Sequence, residues 1–216
     1  MSTPAPSGRR PRADAERNRR RILDAATRVF AERGPAATLG DVATAATVGI
    51  GTIYRKFPDK QALLDALFED RIDAIMRVVD EAAELADPGE AFRAYLVGMI
   101  GLHAADRSLA TVLFAPGRYD RFPPELSDRL GATADRLIAD AVAAGELRPG
   151  FTRQDTIALA AMVSTIALAS REDDPELWRR YADIVVNGTR ATAGAAPLAP
   201  EPPGFRAMTE ALSRVL

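Results

Sequence analysis

No cysteine occurs in the sequence, and histidine occurs once, as His103. A disulfide framework, a thiolate metal site and a histidine-rich metal site are therefore excluded. The lack of cysteine fits a reducing, intracellular setting. No apolar run approaches the ~20 residues that a membrane span needs. The N-terminus, MSTPAPSGRRPRADAERNRRR, is basic but leads into no apolar stretch of signal-peptide length. The expectation is a cytoplasmic protein with no membrane partner. No His pair, HExxH or phosphate-cradling glycine loop is present. No catalytic residue, metal or cofactor is expected, and the chain reads as a non-enzyme. The carboxylates Glu172, Asp173 and Asp174 sit in an interhelical loop without calcium-loop spacing, and read as solvated.

What is present is unevenly spread. Hydrophobic residues make up 47% of the chain, enough for a sizeable core. Residues 1–60 carry 12 Arg and Lys against 6 Asp and Glu, a net +6, and the remainder carries −8. A basic head on an acidic body fits a polyanion-binding module joined to a part that should not bind polyanions. The alternative, a solvated basic arm with no partner, is disfavoured by position, because the charge lies beside a helix-turn-helix pattern. Lysine is scarce: Lys56 and Lys60 are the two among 28 cations.

The spacing predicts an all-α chain, since no strand-period segment exceeds a few residues. Residues 1–13 read as a disordered basic arm. A helix-turn-helix domain is expected over 14–59. Its first helix, about 15–33, has Ile22, Ala26, Val29 and Phe30 in one stripe, and Gly34-Pro35 ends it. Thr38 is the expected N-cap of a second helix, with Asp41 in its first turn. A third helix is expected over 50–57, stopped by Pro58. The turn before it places Thr47 at the left-handed position usually held by glycine, which costs a β-branched residue about 1 kcal/mol or more. A helical body is expected over 60–192, its helices falling near 60–85, 90–104, 107–114, 124–144, 153–170 and 176–192. An Ala/Pro linker and a short C-terminal helix fill 193–216.

Residues 38–60, TLGDVATAATVGIGTIYRKFPDK, hold the segment with an unusual face. Gly51 and Thr52 permit close approach, and Tyr54, Arg55 and Lys56 offer polar reach. That suits a helix in the DNA major groove better than a core helix. Arg55 has the chemistry to read guanine O6 and N7, and the Thr52 methyl to meet a thymine methyl. The alternative is that Arg55 and Lys56 touch phosphates alone.

The strings ILDAATRVFAERG, ATLGDVATAATVGIGTIYRKF and PDKQALL resemble the DNA-binding domain of the TetR (tetracycline repressor) family of transcriptional regulators. The departure is Thr47 for the usual glycine. The resemblance implies that Thr38 and Gly40 lie near phosphate and groove. It implies that Ile50, Gly51, Thr52, Arg55 and Lys56 face DNA, and that Tyr54 and Lys60 contact phosphates. It further implies a ligand pocket in the body, for which Phe68, Phe92, Tyr95, Met99, His103, Phe114, Phe122 and Met162 are candidates. Each of these also reads as ordinary core, because Met and aromatic residues recur at helical spacing in cores. The helices over 153–170 and 176–192 carry the runs IALAAMVSTIALA and LWRRYADIVV, and the resemblance implies that they pair two subunits into a homodimer. The resulting expectation is a ligand-responsive regulator, a repressor, that binds a palindromic double-stranded DNA operator and is released by a small, largely apolar effector. A constitutive DNA-binding protein without a ligand is the alternative.

Overall fold

The computed structural model describes residues 10–105, 124–194 and 196–212. Among them the chain is helical with no strand, and it divides into two compact units, one ending at Leu67 and the other beginning at Phe68. The first unit contains α1 (Arg10–Arg33), α2 (Leu39–Ala46), α3 (Ile50–Lys56) and the start of α4 (Lys60–Ala83). The second holds the rest of α4, then α5 (Pro88–Ala105), α6 (Pro124–Ala143), α7 (Arg153–Ala169), α8 (Trp178–Gly188) and α9 (Phe205–Leu212).

In the first unit the apolar stripe of α1 is buried as its spacing predicts: Ile22, Ala26, Val29 and Phe30. It packs on α2, whose Leu39, Val42 and Ala46 are buried while Gly40 and Thr44 face out. At 7 residues α3 is too short to hold itself together. Burial of Ile53, worth about 1.5–3 kcal/mol, and of Phe57 just beyond fixes it against α2.

The starts and stops follow local chemistry. Gly34 takes φ +55 and ends α1. Thr38 accepts from the Asp41 amide at 3.2 Å, and the Asp41 carboxylate accepts from the Thr38 amide at 2.9 Å, a complete capping box. Thr152 and Asp155 repeat that box at the head of α7. Asp59 accepts from the Ala62 amide at 2.7 Å and caps α4, and Asp87 caps α5 through Glu90 at 2.8 Å.

In the second unit α5 is central, packing on α6, α7 and α8. Gly98 permits the approach of α4 to α5, since a Cβ there would lie 2.5 Å from a Val78 methyl. Phe92 of α5 meets Phe151 edge-on at 5.2 Å.

Three expectations need correction. Residues 10–13, expected in a disordered arm, form the first turn of α1; Pro11 does not prevent this, because a first-turn residue has no intrahelical amide bond to lose. The helix expected over 176–192 is regular only from Trp178 to Gly188. Before it, Pro175 removes an amide and the chain runs in tight turns, Leu177 N–H to Asp174 O and Arg179 N–H to Glu176 O. After it, the backbone leaves to pair with the α6–α7 loop, Ala191 N–H to Glu146 O at 3.1 Å and Arg148 N–H to Thr189 O at 3.0 Å. The Ala/Pro segment is tied down rather than a bare linker: Leu198 N–H reaches Pro149 O at 2.9 Å, and α9 packs on α7. The helix expected over 107–114 lies outside the described residues.

Candidate functional site

Two candidate sites emerge, one in each unit. In the first unit, the α2–α3 turn is a complete Schellman motif. Val48 N–H bonds Ala43 O at 3.0 Å and Thr47 N–H bonds Thr44 O at 3.1 Å. Thr47 sits at φ 53, ψ 48, the one non-glycine with positive φ among the described residues. The sequence-based concern about this residue therefore corresponds to a left-handed threonine. Arg21 donates to Ala46 O at 2.9 Å, adding a cation at the negative end of α2.

The turn sets the direction of α3. With Ile53 inward, Ile50, Gly51, Tyr54 and Arg55 are exposed, Ile50 at 48% and Tyr54 at 53%. An exposed isoleucine and tyrosine on one short helix are unusual for a solvated face. Gly51 has open space around it. Thr38 and Gly40 are exposed at the start of α2. A groove between α1 and α3 is lined by Arg17, Arg21, Thr52, Arg55 and Lys56, with Asp14 and Asn18. Four cations against one carboxylate make it a polyanion-compatible surface. Lys56 is partly turned back, donating to Ala15 O at 2.9 Å, and the Lys60 ammonium lies 5.4 Å from the centre of the Phe30 ring. The Thr38 hydroxyl, then its amide, and then the Arg33 charge hold the Asp41 carboxyl below the usual carboxylate range.

In the second unit a cavity of about 100 Å³ opens among α4, α5, α6, α7 and α9. Phe68, Ile72, Ile75 and Val79 of α4 form one wall. Tyr95, Met99 and His103 of α5 form another, and His103 Nδ1 lies 2.9 Å from Met99 O. Ser127, Leu130, Gly131 and Ala134 come from α6, Arg153 and Ile157 from α7, and Phe205 and Thr209 from α9. Burial pushes the Tyr95 phenol up to about 12, against the opposing pulls of the Thr156 hydroxyl and the Arg153 charge. Tyr95 is thus an O–H donor at any working pH. Among the described residues no group of three or more His, Cys, Asp or Glu is placed to hold a metal. Nor is any helix there long and apolar enough to cross a membrane.

Residues 22–67 match the family model of the bacterial regulatory proteins of the tetR family, and residues 87–191 match that of the SbtR-like transcriptional regulator C-terminal domain. The crystal structure of a TetR transcriptional regulator from Streptomyces coelicolor is 32% identical, with 81% of this chain and 99% of that one aligned at a TM-score of 0.54. The chain belongs to the TetR family. It is a transcriptional regulator with a helix-turn-helix DNA-binding domain, and the family consists of regulators rather than enzymes. The HTH-type transcriptional repressor LfrR of Mycolicibacterium smegmatis is 42% identical over 76 residues, which are 35% of this chain and 40% of that protein. The aligned segment thus spans less than half the length of that curated relative. The crystal structure of LfrR in complex with proflavine aligns over 85% of this chain and 99% of that one at 26% identity, TM-score 0.56.

For a TetR-family chain, four of the eight pocket candidates line the cavity: Phe68, Tyr95, Met99 and His103. Phe92 does not; it is buried, edge-on to Phe151. Met162 does not either. It is 62% exposed, on the outward face of α7. Helical spacing marks a face without saying whether that face turns to the core or to solvent, and here it turns to solvent. Phe114 and Phe122 lie outside the described residues. Sequence reasoning missed Arg153, Gly131, Phe205 and Thr209. A glycine in mid-helix costs about 1 kcal/mol against alanine, so Gly131 was the available signal that something approaches closely there.

Proposed function

We propose that this TetR-family regulator is a repressor that binds a palindromic operator as a homodimer and is released by a small, largely apolar effector. The observation that carries the reading is the course of α4. This one helix begins with Lys60, whose ammonium lies near the Phe30 ring of α1, and four of its side chains wall the apolar cavity of the body. An effector that enlarges the cavity acts on the helix that leads into the DNA-binding head. Release then follows by population shift, the effector preferring a state whose two heads do not match successive major grooves. At about 100 Å³ the cavity is close in scale to a single aromatic ring, so a larger effector must widen it.

DNA contact is assigned to Thr38, Gly40, Ile50, Gly51, Thr52, Tyr54, Arg55, Lys56 and Lys60. Exposure of Ile50, Gly51, Tyr54 and Arg55 on one face of α3 supports this. Lys56 must exchange its bond to Ala15 for a phosphate, so it contributes less than Arg55.

The dimer is assigned to α7 and α8. Met162, Leu168, Tyr181 and Ile184 are all exposed there, at 62%, 43%, 38% and 56%. A cluster of large apolar side chains on two adjacent helices is what a subunit interface requires. The test is a mobility-shift titration of purified protein on its selected operator, with and without candidate effectors. The reading expects a dimer-sized complex that an effector dissociates. A complex indifferent to every ligand that binds the cavity would instead support the constitutive DNA-binding reading.

A further inference from the structure

The cavity has a polar end as well as an apolar one. Arg153 is the lining cation, and no carboxylate lines the cavity among the described residues. Its guanidinium is placed by three features. It pairs with Asp135 at 2.7 Å, its Cζ lies 5.6 Å from the centre of the Phe205 ring, and it packs where Gly131 has no side chain. A Cβ at position 131 would lie 2.4 Å from Arg153 Nη1. Gly131 is therefore the gap that admits the guanidinium to the cavity. The buried Tyr95 lines the same cavity as Arg153.

We propose that the cavity takes a small carboxylic acid with a compact apolar body, an aromatic ring or its equivalent, whose carboxylate is received by Arg153 and Tyr95. The inference rests on the reading of the cavity as the effector site. A guanidinium is planar and matches a carboxylate edge to edge, and charge-assisted bonds of this kind are strongest out of water. Asp135, the present partner, has a side chain 57% exposed and regains water when released, whereas Arg153 is 31% exposed. Exchange of a half-solvated partner for one inside the cavity strengthens the pairing. The phenol keeps its proton and donates to the second carboxylate oxygen. The ring of the ligand then lies against Phe68, Ile72 and Ile157. Phe205 and Thr209 of α9 close the remaining wall.

The test uses the full chain and three matched probes: 4-ethylbenzoate, 4-ethylbenzamide and 4-ethylbenzylamine, titrated calorimetrically. The benzoate is expected to bind at least about ten-fold more tightly than the amide, with no binding of the amine. Arg153→Gln should reduce the benzoate to the level of the amide and leave the amide unchanged. If Arg153→Gln fails to fold, Asp135→Asn decides the matter: it leaves Arg153 in place, removes its competitor and should tighten benzoate binding. The proposal is overturned if the amide or amine binds as well as the benzoate. It is equally overturned if no probe binds up to its solubility limit, or if Asp135→Asn weakens the benzoate. DNA release is read separately. Benzoate selectivity without operator release supports the carboxylate site while refuting the effector reading. Operator release by a neutral compound, with no preference for the benzoate, refutes the carboxylate site and leaves the regulator reading standing.

Discussion

Thr47→Gly should stabilise the DNA-binding head. Thr47 holds φ 53 and ψ 48 at the C-terminus of α2, where its amide and that of Val48 close the Schellman motif. A left-handed conformation costs a non-glycine about 1–2 kcal/mol, and β-branching places threonine at the upper end. Glycine removes that strain but gains freedom in the unfolded chain, which costs about 0.4–1 kcal/mol. The residue is exposed, so no packing is lost with its side chain. The net expectation is a gain of about 0.5–1 kcal/mol, or roughly a two- to five-fold slowing of hydrogen exchange at the α2 amides when exchange proceeds through opening of the head. Thr47→Asn should fall between, since asparagine tolerates this region, and Thr47→Val should be no better than threonine. Exchange measured by NMR on the full chain localises the effect to the first unit, away from any change in the body. Faster exchange in the glycine variant, or equal protection in the valine and glycine variants, would refute the strain argument.

Three further outcomes are expected. Asp41→Asn should destabilise the head at neutral pH; because the folded carboxyl titrates below its ordinary value, its stabilisation is present above about pH 4 and is lost as pH falls through the lowered folded value, so pH-dependent unfolding of the two proteins should converge in acid. Ile184→Glu, which places a charge in the exposed α8 stripe, should yield a folded monomer in sedimentation and weaken operator binding by well over ten-fold, since each head alone reads one half-site. Arg55→Ala should relax selection at one operator position; a uniform loss on all sequences would make Arg55 a phosphate contact.

The head was legible in the sequence because each of its boundaries has a local cause. Gly34, Thr38 with Asp41, and Pro58 are chemical signals that act within a few residues. Ile22, Val42 and Ile53 lie at spacings that leave one possible inward face. The cavity was half legible. Phe68, Tyr95, Met99 and His103 share stripes with ordinary core residues, and which stripe stops short of close packing depends on how separate helices meet. Phe92 and Met162 share that spacing without lining the cavity, the one packed inward on Phe151 and the other turned outward to solvent. In the sequence Arg153 is merely the first residue of the helix expected over 153–170. Its position in the cavity depends on Gly131, 22 residues earlier in sequence, and on Phe205, far later, and no local pattern links the three. The retreat of α8 to Trp178–Gly188 has a similar origin, because the strand-like pairing of Leu147 with Arg190 draws the chain away from the helix.

The central claim is that the face of α3 reads DNA sequence as one half of a symmetric pair. It is tested most directly by selection of bound sequences from random DNA with the purified full-length protein. The account predicts enrichment of a palindrome whose half-sites are centred about one helical turn, roughly 10 base pairs, apart or a multiple of it. Recovery of a single unpaired half-site would contradict the dimeric reading, and no enrichment would contradict sequence-specific recognition by residues 38–60.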